Sequence, residues 1–262
     1  SCQSADKNQQ KDSDTTELNS FVSGLVKEDT TSVEKLVNTY MTYAQNKQYS
    51  EAAAMLTFIS TQAMAQTLEK MQWFNEPEQW EIADNALSMY VTPHSDYWRI
   101  SHYGFTVDDA PFYYNTYGGE FEVKVKITGD YKVRFDQAGL MLRIDKENYI
   151  KTGIEFVDGK FNLSTVVTHH TSDWSVITLD KPVPYIWIKA VRRLDAVEVF
   201  YSFDDKTYVM MRNAWLQDNT PVKVGLMGAC PDGEGFNVKF EHFKVTHLPD
   251  QRRMEWLKKN AE

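Results

Sequence analysis

The chain predicts an all-β sandwich with a helical appendage at its N-terminal end. Three observations carry this. From about residue 72 onward, short alternating apolar–polar runs follow one another, punctuated by turn signals, with no helical period between them. Those turn signals are GG at 118–119, TGD at 128–130, VDGK at 157–160, FDDK at 203–206 and PDGEG at 231–235. Before residue 72 the apolar spacing is helical instead. Many strands at short intervals, without crossover helices, make a sandwich or barrel rather than an α/β fold.

Residues 1–30 open with a polar tract, SCQSADKNQQKDSDTT, that has almost nothing to bury and reads as a disordered tether. A small residue followed by Cys2 and then polar residues has the form of a processed bacterial lipoprotein start. In that reading Cys2 carries the lipid, the membrane is reached only through that lipid, and the location is the cell envelope, periplasmic or surface-exposed. The other reading is a polar tail with an incidental cysteine. Residues 31–71 form the expected helical segment. Val33, Leu36, Val37, Tyr40, Met41 and Ala44 share a stripe, with Thr31 and Glu34 as a capping box. Further helices are expected over 49–58 and 61–71, with core stripes and no chemistry.

Strands are expected at 81–91, 97–105, 111–116, 120–128, 131–135, 138–145, 149–157, 161–169, 174–179, 184–191, 195–203, 206–212, 222–230 and 235–247. They make one β domain over 72–248. Residues 249–262 close the chain as a short helix capped by Asp250.

Composition excludes several classes. The formal net charge is −9 with Lys and Arg dispersed, which argues against a nucleic-acid partner. No apolar run is long enough to cross a bilayer as a helix. Two cysteines, Cys2 and Cys230, give no disulfide framework, and Cys230 reads as a small buried residue at a strand end. No phosphate loop, nucleophile elbow or Cys–His constellation is present, and no cofactor is implied. His169 and His170 do not suggest a metal, because neighbours on a strand point to opposite faces and no third ligand has fitting spacing.

Five segments in series, DYWRISHYGF (96–105), DQAGLMLRID (136–145), YIKTGIEFVDG (149–159), LSTVVTHHTSDWS (163–175) and VGLMGACPDGEGFNVKF (224–240), resemble the regulation-of-enolase-like family of uncharacterised proteins. The resemblance covers about residues 71–247 and leaves the helical segment outside. It implies a concanavalin A-like jelly roll: two stacked antiparallel sheets, one concave, in an architecture that often binds or cleaves glycans. It implies no established reaction, since a fold does not fix a function. Polar and aromatic positions matching the family include Trp98, Arg99, His102, Tyr103, Asp136, Gln137, Arg143, Lys151, Glu155, Ser164, Thr168, Asp173 and Trp174. Tyr149 stands where many relatives have Trp.

The residues point to one surface. In YIKTGIEF, Ile150, Thr152, Ile154 and Phe156 make a core face, while Tyr149, Lys151, Gly153 and Glu155 make the opposite one. Arg143 on AGLMLRID and Trp187 and Lys189 on YIWIKAV fall on comparable faces. If these strands are neighbours, one surface offers rings to stack on sugar C–H faces and charges to bind hydroxyls. A solvated sheet face is the plainer reading. Trp187 and Tyr149 are costly residues for such a face, which favours a site. Gly153 leaves a notch between Lys151 and Glu155, whose Cα atoms lie roughly 13 Å apart, too far for a direct pair.

The expected ligand-binding set is therefore Arg143, Tyr149, Lys151, Glu155, Trp187 and Lys189, with His102 and Tyr103 as a polar edge. The leading expectation is a carbohydrate-binding module. A glycoside hydrolase or lyase is the alternative, with Glu155 as candidate catalytic acid and a cross-strand carboxylate such as Glu198. A protein-interaction module is the third reading. The motif SDWS, Ser172 to Ser175, offers two readings, Asp173 and Trp174 at a rim or Asp173 capping a turn with Trp174 filling the core, and the structural one is favoured.

Overall fold

The computed structural model describes residues 68–250, together with Glu255 and Lys258, which are helical. Cys2 and the helices expected between residues 31 and 67 lie outside the described residues. Leu68–Lys70 is a 3-10 turn.

Sixteen strands follow. They are β1 (Gln72–Phe74), β2 (Trp80–Ala83), β3 (Ala86–Tyr90), β4 (Tyr97–Arg99), β5 (Thr106–Asp108), β6 (Phe112–Tyr117), β7 (Phe121–Gly129) and β8 (Gln137–Arg143). Then come β9 (Asn148–Val157), β10 (Lys160–His169), β11 (Thr171–Thr178), β12 (Ile186–Arg193), β13 (Ala196–Ser202), β14 (Val209–Trp215), β15 (Val222–Ala229) and β16 (Asn237–His247). A front sheet has the order β1-β6-β15-β8-β9-β10-β11 and a back sheet the order β14-β13-β12-β7-β16-β3-β2. All pairings within the two sheets are antiparallel. The sandwich expected from the sequence is thus the observed fold.

Alternation along each strand sends one set of side chains between the sheets. Leu140, Leu142, Ile150 and Ile154 from the front sheet join Val123, Val125, Ile186, Ile188 and Phe240 from the back sheet in one core. Full burial of each such side chain contributes about 1.5–3 kcal/mol. A second, smaller cluster lies on the outer face of the front sheet, where Phe112, Tyr114, Met141, Tyr149 and Met227 meet Tyr97 and Ala110. Tyr97 belongs to the β4–β5 hairpin, which folds across that face as a flap.

Three expected strands are corrected. Residues 81–91 are two strands, because Asp84 and Asn85 both take positive φ, 52° and 56°, the conformation of a two-residue hairpin turn. Residues 97–105 are only one strand of the flap plus its tip. Residues 131–135 form a turn instead: the Lys132 and Val133 amides both donate to Asp136 Oδ2 at 2.8 Å, and Phe135 adopts φ 69°. The Asp158–Gly159 turn signal joins β9 to β10 as the sequence indicates.

Candidate functional site

Register across the front sheet arranges its outer face in rows. Arg143, Tyr149, Thr168 and Ser172 form one row. Met141, Lys151, Val166 and Trp174 form the next, followed by Gly139, Gly153, Ser164 and Val176. Gln137, Glu155, Asn162 and Thr178 form the last. The flap covers the first row and reaches the second, and it divides the face chemically.

Under the flap every charge is answered. Arg143 donates from both terminal nitrogens to Asp108 of β5, at 2.6 and 2.7 Å, a bidentate charge-assisted pair. Its guanidinium also lies against the rings of Phe74, Tyr97 and Tyr149. Lys151, only 3% exposed, donates to Asp96 Oδ1 at 2.8 Å. Tyr149 is buried edge-on against Tyr97, its hydroxyl without a hydrogen-bond partner among the described residues. At the flap's outer end the Arg99 amide donates to Ser172 Oγ at 3.0 Å, and its guanidinium reaches the His170 carbonyl and Glu147. Arg143, Tyr149 and Lys151 therefore stand together, as the sequence expects, but beneath the flap rather than open to solvent.

Beyond the flap Gly139, Gly153, Ser164, Gln137, Glu155 and Asn162 are still buried, and the exposed residues of the face are Trp174, Val176 and Thr178 of the edge strand β11. Gly139 and Gly153 stand directly opposite one another on β8 and β9. A Cβ on Gly153 would lie 2.0 Å from the Ala138 carbonyl oxygen, and one on Gly139 would lie 1.8 Å from that of Thr152. Both positions thus exclude side chains, and they leave a shallow floor with a recess of about 10 Å³ between Gln137, Lys151, Ser164 and Met227. Glu155, buried at its rim, accepts a hydrogen bond from Trp174 Nε1 at 2.7 Å. The same indole N–H lies 3.1 Å from Ser164 Oγ. Burial pushes the Glu155 carboxyl above the usual carboxylate range, against the charge of Lys151 and the hydrogen bonds from Ser164 and Trp174, which favour ionisation. The Trp174 ring is 38% exposed, with Phe135 set edge-on to it.

Trp174 is the residue that sequence reasoning misplaced. It was expected in the core, because Ser-Asp-Trp-Ser has turn composition. In the structure it lies mid-strand in β11, the edge strand of the front sheet, and alternation puts it on the outer face with Ser172 and Val176. Asp173 points elsewhere and pairs with Arg212 at 2.6 Å.

Two members of the expected set are not brought to this face. Trp187 and Lys189 belong to β12, in the back sheet, so the assumption that their strand neighbours β9 fails. Trp187 is 8% exposed, stacked on His242 at 5.3 Å and faced by Lys124. Lys189 lies over the Tyr208 ring at 4.1 Å and 3.6 Å from Glu122. Glu198, on β13 of the same back sheet, does not stand across from Glu155. The positions that do are Gln137 and Asn162, both amides, so the cross-strand carboxylate expected for a hydrolase is not there. His102 and Tyr103 occupy the flap's tip, where Ile100, His102 and Gly104 all take positive φ and Tyr103 stacks on Phe105. His169 and His170 do meet, at 4.7 Å, because His170 turns at φ 60°, but they engage Asn148 and Glu147. Among the described residues no group of three or more His, Cys, Asp or Glu is placed to hold a metal ion. Cys230 is buried, its Sγ 3.0 Å from Asp136 Oδ1, and its thiol is pushed up to about 12 by burial and that carboxylate.

Comparison with known proteins identifies the family. Residues 73–248 match the model of a protein family of unknown function, DUF1349, and the chain belongs to that family. It is 31% identical over 179 residues to Regulation of enolase protein 1 of Saccharomyces cerevisiae, spanning 68% of this chain and 90% of the relative. A crystal structure of a functionally unknown protein from S. cerevisiae superposes with a TM-score of 0.68 at 30% identity, covering 70% of this chain and 99% of that one. A GH43 protein from Bacillus licheniformis superposes with a TM-score of 0.55 at 14% identity, over 68% of this chain but only 37% of its own. At that identity the likeness shows the β-sandwich fold and nothing further.

Proposed function

We propose that the protein binds a glycan at the exposed β11 edge of the front sheet's outer face, around Trp174. One observation carries the reading: an exposed indole lies on a sheet surface, its N–H held by a buried carboxylate, beside a floor cleared by two facing glycines. A sugar ring stacks its C–H face on such an indole, and Val176 and Thr178 continue the same exposed strip of β11. Glu155 here is a positioning residue for Trp174. The residues directly opposite it are amides, and Asp96, a carboxylate that does act on Glu155, is held by Lys151 under the flap, which favours binding over the paired carboxylates that a glycosidase requires.

Affinity electrophoresis of the full chain against plant, host and bacterial polysaccharides, with reducing ends assayed in the same samples, tests this. Trp174→Ala is expected to weaken retardation by roughly 30-fold, as for an aromatic hot spot, and to lower Tm because buried Glu155 loses its indole donor, so binding is compared well below the melting of both proteins. Trp187→Phe, on the opposite sheet, is expected to bind normally. Retardation unaffected by Trp174→Ala would refute the site, and new reducing ends would replace binding with hydrolysis.

A further inference from the structure

The two sheets end on β1, β11, β14 and β2, and three of these edges are guarded against pairing with another chain. β1 and β2 are only three and four residues long. β14 carries Arg212, and its register with β13 shifts between Val199 and Phe200, an irregularity that disrupts an edge. β11 differs. It runs for eight residues, Thr171–Thr178, pairs with β10 without a register shift, and holds no Lys, Arg or Pro. Its one charge, Asp173, is engaged by Arg212.

The free side of β11 can be read from its ladder. Just past the strand the Leu179 amide donates to the Phe161 carbonyl, in the register that β10 and β11 keep throughout. Bonded positions alternate in an antiparallel ladder, so Thr171, Asp173, Ser175 and Ile177 turn their backbone groups toward β10. Ser172, Trp174, Val176 and Thr178 turn theirs the other way, where no strand of the sheet lies. Ser172 is buried against the flap, its hydroxyl taken by the Arg99 amide. Trp174, Val176 and Thr178 are exposed. The β14 edge comes alongside, since Asp173 pairs with Arg212 and His169 meets Trp215 at 4.9 Å. On this side of the sandwich Val176, Ile177, Val209, Met210 and Trp215 are each between 42% and 48% exposed. Together they offer several hundred Å² of apolar surface, a large share of the about 800 Å² that each partner brings to a standard interface.

We propose that β11 is the seam of a homodimer, pairing antiparallel with β11 of a second copy about a two-fold axis beside Val176. Such an axis sets Val176 opposite its own counterpart and Trp174 opposite Thr178. Residues near the axis meet their own kind, so a charged centre would repel itself; the central stretch WSVIT, residues 174–178, carries no charge. Valine against valine and tryptophan against threonine are pairs of strand-favouring residues. An extended segment of another protein could use the same backbone groups, but the uncharged, self-matching centre selects a second copy. The proposal does not rest on the glycan reading and does not compete with it. Trp174 Nε1 reaches back to Ser164 and Glu155, away from the seam, so the ring keeps its place on the outer face of the joined sheet.

The experiment is sedimentation equilibrium of the full chain between about 1 and 300 µM, for the wild type, Val176→Lys and Val176→Pro, with folding checked by circular dichroism and Tm. The wild-type mass is expected to climb from 30.4 kDa toward twice that value. Val176→Lys sets two like charges face to face and is expected to weaken association by at least about tenfold. Val176→Pro removes an N–H that points away from β10, so the fold keeps its ladder while the seam loses its central bonds, and the variant is expected to stay at the monomer mass. Ile177→Pro, whose N–H faces β10, is expected to melt well below both. A wild type that remains at 30.4 kDa throughout would overturn the proposal. So would association unchanged in the folded Val176 variants, or a Val176→Pro chain that melts as low as Ile177→Pro.

Discussion

Removing the Asp96 carboxylate separates the two halves of the front face most sharply. Lys151 is 3% exposed and, among the described residues, its side chain is hydrogen-bonded to Asp96, whose side chain is 15% exposed. Asp96 Oδ1 also accepts from the Tyr97 amide at 2.7 Å, which ties the same carboxylate to the start of the flap. Breaking one side of such a buried pair costs about 3–5 kcal/mol, because the surviving charge stays desolvated. In a sandwich of this size each kcal/mol moves Tm by about 2–4 °C, so Asp96→Ala should melt roughly 6–20 °C below wild type. Replacing both partners removes both charges from the interior. Asp96→Ala with Lys151→Met should therefore recover to within about 1–2 kcal/mol of wild type. Urea unfolding of the four proteins in the cycle, with m-values checked for constancy, gives the coupling directly. A loss below about 1 kcal/mol for Asp96→Ala alone would refute the reasoning. The pair would then be solvent-screened, the flap open, and Lys151 again available to a ligand.

Two further perturbations probe the face beyond the flap. Gly153→Ala places a Cβ 2.0 Å from one backbone atom and 2.7 Å from another, so it should destabilise by more than about 4 kcal/mol or fail to fold; a Tm within two degrees of wild type would sink the close-approach argument. Glu155→Gln tests the carboxyl raised by burial: the folded state holds the proton more tightly than the unfolded one, so wild-type stability falls as pH rises from the unfolded pKa, about 4.3, through the higher folded value. Glutamine lacks that loss and can still accept from Trp174, so it should match or exceed wild type at pH 7, with its advantage shrinking as the pH is lowered toward 4. A glutamine variant clearly weaker than wild type at pH 7 would show the ionised carboxylate to be a net stabiliser.

The two faces of each strand were legible because a period of two is written locally in the sequence. Ile150 and Ile154 face the core and Lys151 and Glu155 do not, as the alternation in YIKTGIEF requires. Sheet membership was not legible. Trp187 has the same alternation as Lys151, yet β12 pairs with β7 and β13 while β9 pairs with β8 and β10. Those partners are chosen by contacts far apart in sequence, which no local pattern records. The flap was hidden for a related reason. Asp96 and Asp108 look like turn residues, and only the folded chain shows them set over Lys151 and Arg143. Trp174 was misread because edge strands carry polar residues on their exposed positions, so a strand there has the composition of a turn.

This division of the front face bears on what a glycan site would require. Arg143 and Lys151 have the residue types a sugar site uses, but their donors are already spent on Asp108 and Asp96. Recruiting either would mean breaking a desolvated pair, at a cost larger than one added sugar contact returns. Trp174 carries no such penalty. Its indole N–H is anchored on Glu155 and Ser164 while the ring stays exposed, so its orientation is set before any ligand arrives. A ring already fixed loses little rotamer freedom on binding, and that saving is of the order of 1 kcal/mol per ordered side chain. If that proposal holds, Glu155 is a buried carboxylate whose desolvation is offset by fixing the indole. The closed half holds the sandwich's outer layer together, and under the proposed reading a ligand would find its surface already in place at the exposed edge around Trp174.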